Sequence, residues 1–398
     1  KMKAVILAAG EGIRLRPFTY SRPKGMLRIA NKPILEYAIE SLVSNGIHDI
    51  IMVVGYKRER IMSYFEDGKE LGVKIKYLTQ AKQLGTAHAL RAVKSQIDSE
   101  FLVLPGDNFI EPKLITEFLE GRGKVSMLLT ESNVPSKYGV VKLVDNLVEE
   151  IREKPNVSER SMISTGIYCL PPQVFDYIEM LANMGKHDLT SVMQQMIMDN
   201  IEIVGVTTKR RWADAVYPWD MLKLNSAALQ DAKFGISGVI EKDVFIKGKV
   251  SIGDGSIIRS GTYIQGPVAI GKGCEIGPHV VINPSTSIGD NVSIGPFSEI
   301  KNSIIMNDII IGSASIISNS VIGDGVRIGP NFVAAEGNAD VVLESEFHKV
   351  ENIGVLIGDD SLLGSSIIAE PGTIIGASCK VSSGKRLNAN IPSNGIVV

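Results

Sequence analysis

SIGDGSIIRSGTYIQGPVAIGKGCEIGPHVVINPSTSIGDNVSIGPFSEI, residues Ser251–Ile300, carries isoleucine at every sixth position from Ile252 to Ile300, and Ile240 and Ile246 extend the series backwards. Such a run on one residue type means short strands of one length separated by corners, three hexads closing a triangular coil, which is a parallel β-helix. A β-sandwich of isoleucine-rich strands would turn every 8–12 residues instead. Further on the spacing slips by two, giving Ile304, Ile310, Ile316, Ile322 and Ile328 as the next inward positions. After an interruption it returns at Ile357, Leu363, Ala369, Ile375 and Val381, for about seven coils in all. The repeat is assigned to residues 239–388, with a polar, acidic insertion at residues 335–352.

Upstream, residues 1–230 alternate apolar strand-like runs with helical patterns. Ala4–Ala9, Ile50–Val54, Val73–Leu78, Phe101–Leu104, Val125–Thr130 and Ile201–Val206 read as strands. Pro33–Asn45, Arg58–Phe65, Thr86–Lys94 and Lys113–Glu120 read as helices. The alternation predicts an α/β domain with a Rossmann-like, mostly parallel sheet. Ligands of such sheets collect beyond the carboxyl ends of the strands. Gln230–Gly238 forms the boundary between the two domains.

The opening stretch, Lys3–Glu36, follows a strand with a basic, glycine-containing loop. Gly10 and Gly12 let the backbone approach a ligand, Arg14 and Lys24 supply fixed positive charge, and Pro17 and Pro23 stiffen the path between them. A P-loop needs Gly-Lys-Ser/Thr opening a helix, and a dinucleotide fingerprint needs a helix directly after its glycines. Arg14-Leu15-Arg16-Pro17 fits neither, so the reading is a triphosphate cradle of another kind.

Leu7 through Thr19, followed by Pro23-Lys24, resembles the signature of the sugar-phosphate nucleotidyltransferases, L-A-A-G-x-G-x-R-[LM]-x-P-x-T then P-K. The resemblance implies displacement at the α-phosphorus of a nucleoside triphosphate by a sugar 1-phosphate, releasing pyrophosphate. It implies Arg14 and Lys24 as the catalytic cations, with Leu7, Ala8, Ala9, Gly10 and Gly12 around the nucleotide. Asp107, in Leu104-Pro105-Gly106-Asp107-Asn108, and Asp214, in Trp212-Ala213-Asp214, are the implied Mg²⁺ ligands. Asp220 is the substitute ligand, with helix capping as its competing role. Gln80 through Ala89 resembles the base-reading segment of uridylyltransferases, making Gln80, Gly85 and Thr86 nucleotide contacts and favouring UTP, then dTTP. His88 in that segment reads as structural. Gly139, Glu153, Lys154 and Thr165 match sugar-phosphate positions. Ser164 stands where many N-acetylglucosamine-using relatives carry asparagine, which favours glucose 1-phosphate.

Over nearly its full length the chain is similar to bifunctional uridylyltransferase/acetyltransferases, archaeal-type ones included. That similarity implies a left-handed winding of the β-helix, trimers or multiples of trimers, and an acetyl transfer that depends on a late-coil histidine. Ser303–Ser320, the stretch that lines up with it, has Ser313 and Ile316 in place of the histidine and tyrosine. The second domain therefore reads as an oligomerisation scaffold, with bifunctional use of N-acetylglucosamine 1-phosphate or a non-catalytic sensor as the alternatives. His348, in the insertion, reads as a solvated loop histidine.

Composition narrows the remaining classes. The 398 residues are 44% hydrophobic and 22% charged with a formal charge of −2, which offers no electrostatic case for nucleic acid or anionic membrane. Neither a membrane span nor a signal peptide is read, and Cys169, Cys274 and Cys379 show no zinc pairing, so a reducing, cytoplasmic setting is the expectation.

Overall fold

The computed structural model describes residues 2–156 and 159–398. It resolves into two compact units. The first holds the chain up to Glu11, Arg22–Met26 and Ile34–Asp214; the second holds Gly12–Ser21, Leu27–Pro33 and Ala215–Val398.

The first unit is a nine-stranded sheet, in the order Lys74–Thr79, Asp49–Val54, Lys3–Ala8, Phe101–Pro105, Ser161–Leu170, Ser126–Ser132, Val204–Thr207, Leu147–Glu153 and Gly139–Val144. Lys3–Ala8 lies parallel to both neighbours, with Ile6 opposite Met52 on one side and Leu104 on the other. Its run is continuously apolar because both faces are covered. Val5 joins a core with Val53, Val103, Phe175 and Leu189, whereas Ala4 and Ile6 join another with Ile39, Leu42 and Phe118. Ser161–Leu170 runs antiparallel between two strands and makes the sheet mixed. Gly139–Val144 and Leu147–Glu153 form a hairpin that the apolar pattern does not announce. Their turn is Asp145-Asn146, both residues at positive φ, the geometry a two-residue hairpin turn needs.

The second unit contains three parallel sheets of nine, eight and seven short strands, from Val239–Ile240 to Ile396–Val397. These are the three walls of the β-helix. In the first coil after Ile300 the inward positions are Ile305, Ile311 and Ile317, each one residue beyond the Ile304, Ile310 and Ile316 that the spacing predicts. Ile288 faces Ile305, Ile294 faces Ile311 and Ile300 faces Ile317, while Ile310 and Ile316 are 43% and 44% exposed. Tandem isoleucines make the sequence ambiguous there. The step from Ile300 to Ile305 drops one corner residue, and so does the step from Ile317 to Ile322. A shift of one residue exchanges inside for outside. From Ile322 onward the predicted positions hold, with Ile322 opposite Ile357, Ile328 opposite Leu363 and Leu363 opposite Val381.

Segments from the first thirty-odd residues fold against the coils within this unit. Asn31 Nδ2 donates to the Ile288 carbonyl at 2.7 Å, and Asn225 Oδ1 accepts from Ala30 N at 2.7 Å and from Ser287 Oγ at 2.8 Å. Ser21 Oγ donates to Asp359 Oδ2 at 2.5 Å, while Asp359 Oδ1 accepts the Asp324 N–H. The insertion forms a hairpin of Gly337–Leu343 and Glu346–Ile353. His348 is not solvated, as the sequence reading has it. Its side chain is 15% exposed, with the ring 4.4 Å from that of Tyr217 and 5.4 Å from that of Trp219, because the hairpin lays it on this aromatic pair. Among the described residues no helix is long and apolar enough to cross a membrane.

Candidate active site

At the carboxyl ends of the central strands of the first unit lies a cleft of about 490 Å³. Leu7, Ala9 and Gly10 line it from the first strand; Gln80, Gly85 and Thr86 come from the segment after Lys74–Thr79; Asp107 and Asp214 come from the paired edge. Gly139, Glu153, Lys154 and Thr165 complete the opposite wall. Ala8 is buried within the sheet. Gly12 and Arg14 belong to the second unit, where Gly12, at φ 74°, opens the short turn Ile13–Leu15 and Arg14 is exposed.

Lys24 meets two carboxylates: Asp214 Oδ1 at 2.5 Å and Asp107 Oδ2 at 3.0 Å. Two local features bring them together. A Cβ on Gly25 would lie 2.5 Å from the Gly106 carbonyl, so only glycine lets the Lys24–Met26 turn press against the turn that carries Asp107. Trp212–Asp214 pairs antiparallel with Asn108–Ile110, setting Asp214 opposite Asn108. Burial alone would lower the Lys24 pKa, but the adjacent Asp107 and Asp214 outweigh it and hold the ammonium above the ordinary lysine value. Two carboxylates within reach of one ammonium also suit a small divalent cation that keeps several waters. Among the described residues no cluster of three or more His, Cys, Asp or Glu offers a denser cage. Asp220 accepts the Val216 and Tyr217 N–H groups through Oδ2 and so holds the turn before the helix Asp220–Asp231.

The Gln80–Thr86 segment is tied down tightly. Gly85 sits at φ 151° and ψ 177°, and a Cβ there would fall 2.4 Å from the His187 carbonyl oxygen. That same carbonyl accepts Ala87 N–H at 2.8 Å and His88 N–H at 3.2 Å. Thr86 Oγ1 accepts the Leu189 N–H at 2.9 Å, so part of its hydrogen bonding is structural. Gln80, 6% exposed, donates Nε2 to the Gly85 carbonyl at 3.3 Å and to His88 Nδ1 at 2.8 Å.

On the opposite wall the Thr165 hydroxyl donates to the Leu128 carbonyl and accepts the Ile167 N–H. Lys154 Nζ lies 3.6 Å from Glu153 Oε1. Tyr168, Asp188 and Thr190 also line the cleft, and the sequence reading missed them. Tyr168 shares a hydrogen bond with Ser164 at 3.1 Å, and burial pushes its phenol up to about 12. Asp188 caps the helix Leu189–Met198 by accepting the Ser191 N–H at 2.7 Å. An aspartate directly before an apolar helical run is a legible capping signal; Tyr168 carries none.

The chain matches the nucleotidyl transferase family over residues 3–231 and the GMPPB C-terminal domain over residues 264–397. It belongs to the nucleotidyl transferase family, among the sugar-phosphate nucleotidyltransferases. Its relatives include the bifunctional protein GlmU of Methanocaldococcus jannaschii, 37% identical over 100% of this chain and 97% of that one. The protein of the same name from Methanococcus maripaludis strain C7 is 41% identical over the same shares. The glucose-1-phosphate thymidylyltransferase of Streptomyces antibioticus is 32% identical over 90% of this chain and 92% of its own. A solved Bacillus anthracis structure assigned as a glucose-1-phosphate thymidylyltransferase, in complex with sucrose, is 28% identical, with a TM-score of 0.54 over 59% of this chain and 98% of that one.

Proposed function

We propose that this protein transfers a nucleoside monophosphate from UTP or dTTP to a sugar 1-phosphate, with glucose 1-phosphate as the favoured acceptor, and releases pyrophosphate. The observation that carries the reading is the meeting of Lys24 with Asp107 and Asp214, two carboxylates lining a cleft whose other walls hold Gln80, Gly85, Glu153 and Lys154. A phosphate oxygen of the acceptor attacks the α-phosphorus, the bond to the bridging oxygen breaks, and pyrophosphate leaves with that electron pair.

Lys24 Nζ holds positive charge beside the transferred phosphoryl group. Asp107 and Asp214 would hold Mg²⁺, which when bound supplies neutralisation of phosphoryl oxygens. Leu7, Ala9 and Gly10 support the nucleotide, and the signature assigns Gly12 and Arg14 to the triphosphate. Gln80, Gly85 and Thr86 take the base. Glu153 orients sugar hydroxyls and Lys154 its phosphate, with Gly139 and Thr165 against the ring. Two relatives bearing glucose-1-phosphate thymidylyltransferase names support that acceptor.

A second reading, N-acetylglucosamine 1-phosphate as acceptor with acetyl transfer in the β-helix, draws support from full-length likeness to the bifunctional proteins. The absence of histidine from Ser303–Ser320 counts against its acetyl half. We propose the β-helix, residues 239–388, as an oligomerisation scaffold, and residues 1–230 as the transferase domain. Pyrophosphate release across UTP, dTTP and GTP with glucose, N-acetylglucosamine and mannose 1-phosphates tests the first reading, which falls if no pair turns over. Thiol release from acetyl-CoA with glucosamine 1-phosphate tests the second.

A further inference from the structure

Gln80 lines the cleft, and its side-chain amide has one end already committed. Both contacts of Nε2, the Gly85 carbonyl at 3.3 Å and His88 Nδ1 at 2.8 Å, are acceptors, which accounts for both amide hydrogens. Because Nε2 can only donate, His88 Nδ1 accepts, and the imidazole proton sits on its Nε2. The backbone cannot swing away either: Gln80 N–H donates to the Val54 carbonyl at 2.8 Å, and His88 N–H is held by His187. What remains of the amide for a ligand is the oxygen Oε1.

We infer that His88 is a positioning residue for base selection: by accepting from Gln80 Nε2 it fixes the amide with its carbonyl toward the base. The inference rests on Gln80 as the base contact proposed above. A fixed acceptor pairs with the imide N3–H of uracil or thymine. It opposes the bare N3 of cytosine, where two lone pairs would face each other. A site built on a hydrogen bond rejects the analogue that cannot make it far more strongly than a merely snug pocket does. The surroundings favour the neutral imidazole that this orientation needs. Its pKa is lowered, first by burial and then by His187, whose ring centroid is 6.0 Å away, and by Arg91 on the same helix. Protonation would put a donor on Nδ1 opposite the amide NH₂ and drive the amide to turn over.

The test measures kcat/KM for UTP and CTP with one sugar 1-phosphate, using the full chain, as wild type, His88→Leu and His88→Asn. His88→Leu lowers the UTP-to-CTP ratio by about 10- to 100-fold. His88→Asn, which returns an acceptor near the Nδ1 position, keeps most of it. The inference is overturned if His88→Leu reduces both triphosphates by the same factor, or if His88→Asn loses the UTP-to-CTP ratio as fully as His88→Leu does. Wild-type protein that forms no nucleotide sugar from any triphosphate overturns the parent reading as well.

Discussion

Gly85→Ala tests whether the base-side loop is as tightly determined as its geometry demands. At φ 151° and ψ 177° the residue occupies a region that side chains other than glycine's rarely enter, at a cost of about 1–3 kcal/mol. The new Cβ would also lie 2.4 Å from the His187 carbonyl oxygen and 2.9 Å from its carbon, which are backbone atoms with no rotamer to adjust. Displacing that carbonyl breaks the N–H bonds of Ala87 and His88, each worth roughly 0.5–1.5 kcal/mol net. Together these give a destabilisation of about 2–6 kcal/mol. At roughly 2–4 °C per kcal/mol for a cooperative unit of this size, Tm falls by about 4–24 °C. Gly10→Ala is the control, since a Cβ there meets nothing within 4 Å, and its Tm stays within about 2 °C of wild type. Calorimetric melts paired with pyrophosphate release measure both arms. Gly85→Ala protein with unchanged Tm and unchanged KM for the triphosphate would refute the reasoning.

Lys24→Met removes the ammonium shared by Asp107 and Asp214, and with Asp107 38% exposed the loss in urea stability is about 1–3 kcal/mol. Because the folded Lys24 value lies above 10.5, the pair's contribution is complete below that pH and disappears as pH climbs through the folded value. The wild-type-to-mutant gap is therefore flat from neutral pH to about pH 10 and closes above it; a gap that closes between pH 7 and 10 contradicts the assignment. Chelator abolishes pyrophosphate release and Mg²⁺ restores it, while Asp214→Asn raises the Mg²⁺ concentration needed about tenfold or more in a metal titration. Asn225→Leu leaves Ala30 N–H and the Ser285 carbonyl without their partner and costs about 2–4 kcal/mol in a denaturant melt. Light scattering finds a species three times the 43.0 kDa chain, and a monomer would remove the scaffold role.

Some of the molecule is legible from local pattern alone, because side-chain period and turn chemistry are local properties. The six-residue isoleucine spacing announces the β-helix, and the bounded apolar run at Ala4–Ala9 announces a strand covered on both faces. Arg-Leu-Arg-Pro after the glycines is enough to exclude a P-loop and a dinucleotide fold. What the spacing could not say is which isoleucine of each tandem pair points inward, since corner length decides that and a one-residue change reverses it. Nor could it say that Lys24 would bridge Asp107 and Asp214, the latter 190 residues away, or that Gly85 is demanded by the carbonyl of His187. Those meetings depend on strand order across a nine-stranded sheet and on two backbones pressed within van der Waals distance. No local sequence pattern encodes either one, so only the folded chain brings the groups together.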